Sequence, residues 1–282
     1  MSVPDYGELG KSARDVFREG YAYDLAKLKL SAKLGVEADV AFDLRKSELT
    51  GSFLGKYSTN GYGQFSGKLS RPSLLTGEYK LNGFLSENVD LDAGYTFNLA
   101  DNFQTCRVRG KFHNSLLHAD GSITKDLDGD AVLHGSAVLK LGKLLLGYQA
   151  EFKPNGSRLS KNDLALGCEI GNSAALHLRC LRIPKELGLS GFYSVSDKLD
   201  VAVDAKLGLG DESRPWYLGA GLAYKLNEQS KLRLKLDKNL QLGTSLQMPL
   251  NEEAKVTLAM NLDLAQPASG QHKVGLGLDL EV

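Results

Sequence analysis

Apolar and polar residues alternate along nearly the whole chain. At its end, "KVGLGLDLEV" sets Val274, Leu276, Leu278, Leu280 and Val282 against Gly275, Gly277, Asp279 and Glu281. Strict period 2 places the two sets on opposite faces of a strand, one apolar and one wet. The same pattern appears in "KVTLAMNLDL", with Val256 to Leu264 opposite Lys255, Thr257, Asn261 and Asp263, and in "KLRLKLD", with Leu232, Leu234 and Leu236 opposite Lys231, Arg233 and Lys235. "LDVAVDAKL", "TCRVRGKF", "KLKLSAKL" and "VEADVAFDL" repeat it upstream. Short punctuators separate the segments: Arg45 to Ser47, Ser58 to Gly61, Arg71 to Ser73, Asp126 to Asp130, Pro154 to Ser157 and Gln266 to Gly270. They read as hairpin turns. From Leu25 onward the pattern predicts about 19 strands, at roughly 13 residues per strand and turn, the scale of strands that cross a bilayer.

Only the start departs from this pattern. Tyr6, Leu9, Ala13, Val16 and Phe17 fall at helical spacing, which predicts one short amphipathic helix from Tyr6 to Phe17, weakened by Gly7 and Gly10 and broken at Gly20. Residues 1–24 are thus expected to form a helical segment and hinge, and residues 25–282 the β-domain.

Composition narrows the choice of solvent for the two faces. Lys plus Arg and Asp plus Glu both number 34 in 282 residues, so no bulk charge favours nucleic acid. Gly 31 and Pro 7 suit strands and tight turns. "MSVPDYGELGK" has acids and no apolar core, so no secretory signal is expected, and no apolar run approaches the roughly 18 residues of a membrane helix. Strands need only about 9–11 alternating residues to cross. The polar faces carry dense charge (Lys27, Lys29, Lys33; Glu37, Asp39, Asp43), while the apolar faces are Leu, Val, Ala, Phe and Gly. That division favours an all-β transmembrane barrel, lipid outside and water inside, closed so that no backbone group is left unpaired in hydrocarbon.

Both ends carry a resemblance. "DYGELGKSARDVFREGY", Asp5 to Tyr21, resembles the start of the mitochondrial voltage-dependent anion channel family, the eukaryotic porins, whose helix reads "YADLGKSARDVF". The terminal strand is similar to that family's last strand. It also fits the mitochondrial β-signal for outer-membrane assembly through Lys273, Gly275, Leu278 and Leu280. The resemblance implies a 19-stranded barrel with the helix inside the pore. It further implies a voltage-gated path for ions and metabolites such as ATP, ADP and phosphate across the mitochondrial outer membrane, and the equal balance of basic and acidic residues at wet parity predicts only a slight anion preference or none. Membrane lipid, permeating anions and nucleotides, the assembly machinery and a homo-oligomer are the implied partners, with no nucleic acid among them. The chain departs from the family at "GYAYD", which keeps only Gly20 of a "GYGFG" hinge, at Glu19 in place of a second lysine, and at "FSGKL", Phe65 to Leu69, which lacks the acid of "TEKW".

The candidate site residues concern permeation. Arg107, Arg109 and Lys111, and Lys231, Arg233 and Lys235, share the wet parity of their strands and could line basic tracks for anions; equally, they could be ordinary solvated wall residues. Lys11, which matches the family's first lysine, and Arg14 could narrow the pore and attract phosphate. His113, His118, His134, His177 and His272 lie on different strands without metal-ligand spacing. Cys106, Cys168 and Cys180 share apolar parity with their neighbours, as inert lipid-facing thiols would. The sequon at Asn155 to Ser157 is discounted in a chain expected to have no secretory signal. No nucleophile elbow, phosphate loop or cofactor motif is present, so an enzyme is not expected. Two other functions fit the pattern: a protein-translocating barrel of the related import-pore family, which typically has a longer extension than the 24 or so residues here, and a soluble barrel binding apolar ligands.

Overall fold

A computed structural model describes residues 3–59, 63–71, 73–127, 129–171, 173–209, 216–268 and 270–282. Alternation becomes nineteen strands among the described residues. They are β1 Leu25–Ala32, β2 Val36–Asp43, β3 Glu48–Thr59, β4 Gly63–Ser70, β5 Leu74–Leu81, β6 Val89–Asn98 and β7 Phe103–His113. β8 Leu117–Asp126, β9 Ala131–Leu141, β10 Leu144–Lys153, β11 Arg158–Ile170, β12 Ala174–Leu181 and β13 Glu186–Ser196 follow. The last are β14 Leu199–Gly208, β15 Tyr217–Lys225, β16 Lys231–Asp237, β17 Gln241–Pro249, β18 Ala254–Asp263 and β19 Lys273–Glu281. Of the expected turns, residues 60, 61, 72, 128 and 269 lie outside the described residues. Lys33, counted with the wet face of the first strand, sits in the turn after it.

Each strand pairs antiparallel with the next, and β1 closes the sheet on β19. Strand direction alternates in such a meander, so an odd number leaves first and last running the same way. The closing pair is accordingly parallel, from Ala26 opposite Leu276 to Ser31 opposite Glu281. Closure removes both sheet edges, which hydrocarbon requires. A strand of about ten residues, rising ~3.3 Å each and tilted ~45°, spans about 23 Å, close to the apolar band of such barrels. The apolar parity faces outward: Val108 is 53% exposed and Leu276 47%. All three cysteines share it, since Cys106 registers with Tyr95, Cys168 with Leu144 and Cys180 with Leu164.

The N-terminal segment lies inside the barrel. Val3, Tyr6 and Leu9 pack on Val138, Leu145 and Ala165, and Ala13 and Val16 pack on Ala202, with Phe17, Phe192 and Ala223 around them. The wall residues in both clusters have the inward parity of β9 to β11 and β13 to β15. The expected single helix is two pieces. A 3-10 turn covers Tyr6–Glu8, closed by reciprocal capping between Asp5 and Glu8, and α1 covers Lys11–Arg18. The break is Gly10, at φ +70°. That left-handed φ is what favours glycine here, and the Arg179 guanidinium lies against this residue.

Candidate permeation site

The wall beneath the N-terminal segment is hollowed by glycine. A Cβ at Gly147 would meet Leu9 and Tyr6, one at Gly221 would meet Val16 and Phe17, and one at Gly275 would meet the Ala22 carbonyl. These inward positions on β10, β15 and β19 let the backbone of the segment approach the sheet closely.

Polar contacts fasten the segment at both ends. The Val3 N–H donates to the Asn114 carbonyl at 3.3 Å, and His118 Nδ1 lies 3.3 Å from the Val3 carbonyl. Further along, the Arg14 guanidinium donates to the Gly7 carbonyl, bridging the break. Where α1 ends, Glu19 pairs with Arg233 at 2.9 Å, and Arg233 is 5% exposed. Lys235 Nζ donates to the Phe17 carbonyl at 2.8 Å and sits 3.9 Å from the centre of the Tyr21 ring. The Ser245 hydroxyl donates to the Gly20 carbonyl at 2.9 Å. At the hinge, Asp24 holds Arg45 at 2.9 Å and Lys273 at 3.8 Å. Burial pushes the Tyr6 phenol up to about 12 and raises Tyr21 and Tyr23 likewise, so these three anchors stay neutral at any physiological pH.

The structure separates the basic residues singled out in the sequence. Lys11 is exposed on α1, and Arg107 is exposed on β7. Arg109 pairs with Asp120 at 3.1 Å, and Asp120 also accepts from the Ser136 hydroxyl at 2.6 Å. Lys111 pairs with Asp92 at 2.7 Å. Arg233 and Lys235 lie under the end of α1 and hold it, while Lys231 sits beside them at one end of β16, half-buried. The six strand cations therefore do not form two equivalent tracks. On β1 to β3, Lys29 and Lys56 share Glu37 at 3.4 and 2.8 Å. The assembly-signal residues divide as well. Lys273 and Gly275 carry the hinge, whereas Leu278 and Leu280 register with Leu28 and Leu30 on the outer face of the closing seam. Sequence reasoning missed the helix seat. Its signal was the presence of Val138, Leu145, Ala165 and Phe192 at wet parity.

A closed sheet, apolar outside and charged inside, with a fastened helix against one wall, defines a membrane-spanning β-barrel pore. Residues 2–275 match the Eukaryotic porin family. The chain is 32% identical over its whole length to the full length of the voltage-dependent anion-selective channel of Drosophila melanogaster. It is 30% identical, over 99% of both chains, to the non-selective voltage-gated ion channel VDAC2 of Xenopus laevis, and 28% identical to that of Homo sapiens over 99% of this chain and 95% of the relative. The chain belongs to the eukaryotic porins: it is a porin-type, voltage-gated channel of the mitochondrial outer membrane, in a family of channels rather than enzymes.

Proposed function

We propose that the pore passes small ions and phosphate-bearing metabolites such as ATP, ADP and phosphate by diffusion, with slight anion preference or none, and does no chemistry on them. The observation that carries this reading is the charge arrangement on the wall left uncovered by the helix. There, Lys27, Lys29, Lys56, Arg109 and Lys111 are interspersed with Glu37, Asp39, Asp90 and Asp92, and Lys29, Lys56, Arg109 and Lys111 have carboxylate partners. Paired charges contribute little net field beyond a Debye length of about 8 Å. Lys27 and Arg107 on the wall and Lys11 and Arg14 on the helix are among the cations left to meet permeating phosphate. Lys231, Arg233 and Lys235 serve the helix instead. The names of the relatives divide in the same way, one being called anion-selective and others non-selective.

In this reading residues 1–24 act as one unit against the barrel of residues 25–282. Lys273, Gly275, Leu278 and Leu280 are read by the assembly machinery before they take their places in the seam and hinge. The test is planar-bilayer recording of the purified chain in a KCl gradient, with ATP release from vesicles beside it. Reversal potentials near zero and ATP release bear the proposal out. Strong anion selectivity, or retention of ATP by conducting vesicles, overturns it.

A further inference from the structure

On the lipid side of β12 to β15 the leucine surface is interrupted. Leu178, Leu189, Ala205 and Leu218 stand opposite one another across the four strands, and the alanine leaves a hollow between leucines. A cavity of about 410 Å³ opens there, bounded also by Leu207 and, toward one rim of the barrel, by Trp216. Trp216 is the single tryptophan of the chain and is 52% exposed. A tryptophan at the end of a membrane strand marks the level of the lipid headgroups.

Two lysines stand at this rim. Lys238, the residue after β16, holds its Nζ 4.2 Å from the centre of the Trp216 ring, and its N–H donates to the Leu218 carbonyl at 2.9 Å. Lys185, exposed in the turn before β13, accepts at its carbonyl from the N–H of Leu209, just past the end of β14, at 2.8 Å. The described carboxylates nearest in sequence are engaged elsewhere: Glu186 lies 3.8 Å from Arg182, and Asp237 accepts from the N–H groups of Asn239 and Gln241. The rim above the hollow is cationic.

An empty hollow would cost the leucines around it their van der Waals contacts on one side. An acyl chain of the bilayer supplies those contacts. The charge above then selects among lipids, because each lysine near a membrane surface favours anionic lipid by about fivefold, and the ammonium of a zwitterionic headgroup offsets that gain. A neutral sterol gains nothing from the rim, and a second copy of the chain would bring the same cations against it.

We propose that this hollow binds one anionic phospholipid of the surrounding bilayer, with an acyl chain over Ala205 and the headgroup phosphate on Lys185 and Lys238. Strand β14 then carries α1 on its inner face at Ala202 and the lipid on its outer face at Ala205. The strand that seats the helix is the one the lipid covers.

The single tryptophan reads the site directly. The full chain is placed in nanodiscs of zwitterionic lipid containing an equal, small fraction of either phosphatidylglycerol or phosphatidylcholine brominated on its acyl chains, and quenching of Trp216 is followed against mole fraction at fixed ionic strength. Brominated phosphatidylglycerol is expected to reach half-quenching at a mole fraction about five- to twentyfold lower than brominated phosphatidylcholine. In Lys185→Gln/Lys238→Gln, which changes only the rim, the two curves come together. Ala205→Leu fills the hollow and weakens quenching, most of all by the anionic lipid. Equal quenching by the two lipids in the wild type overturns the site, as does a preference that survives in the double variant or is untouched by Ala205→Leu. Stronger quenching by a brominated sterol than by brominated phosphatidylglycerol assigns the hollow to a sterol, and shielding of Trp216 from both phospholipids as protein density rises assigns it to a second copy. Either result overturns the proposal.

Discussion

Gly275 answers to two demands at once. Within the assembly signal it stands at the glycine position, and in the finished barrel a Cβ there would strike the Ala22 carbonyl. Gly275→Val is expected to lift the hinge even in barrels that assemble, and trypsin cleavage after Arg18, faster in the variant than in wild type, measures it. Three residues on, Leu278 faces lipid near the middle of β19, between Val256 of β18 and Leu28 of β1. Leu278→Arg is expected to cost about 2–4 kcal/mol of barrel stability at mid-depth, read from urea unfolding in vesicles. An unchanged midpoint would place that position away from lipid. The two substitutions separate the inner from the outer duty of one strand.

At the scale of elements, the N-terminal segment is a small core of its own. Leu9 is 2% exposed against Val138 and Leu145, so Leu9→Ala is expected to cost about 2–5 kcal/mol, the range for a buried leucine. The loss falls on docking rather than on the barrel: tryptic nicking at Arg14 should accelerate while the thermal transition of the barrel stays in place. Why the strands and the presence of a helix were legible, and the helix's division and seat were not, follows from what each depends on. A strand's parity is written in its own residues, and "KLRLKLD" needs no partner to declare which side is wet. Gly10 sits against Arg179, and the fastening of Glu19 depends on Arg233, each more than 160 positions away. Against the family pattern Glu19 is a missing cation; in the fold it also neutralises Arg233 of the wall and so removes two charges from the pore. Where the family has "GYGFG", this chain has Tyr21 and Tyr23, whose rings gather around Lys235. The seat itself was visible as apolar residues at inward parity, but period-2 counting alone assigns such residues no partner.

For the whole molecule, the asymmetry between the covered and uncovered walls decides selectivity. A wide pore responds to fixed charge near its conducting path, averaged over a screening length of about 8–10 Å. On β7, Arg107 is exposed, while Arg109 and Lys111 hold Asp120 and Asp92. Neutralising all three as Arg107→Gln/Arg109→Gln/Lys111→Gln removes three cations and frees two carboxylates. The reversal potential in a KCl gradient is therefore expected to move toward cations. On β16, Arg233 and Lys235 are covered by the helix, so Lys235→Gln is expected to move the reversal potential little and to raise current noise as the end of α1 loosens. A large shift from Lys235→Gln with none from the β7 triple variant would invert the assignment of walls. It would place the conducting path beside β16, and the helix could not then be docked where Glu19, Phe17 and Gly20 make their contacts.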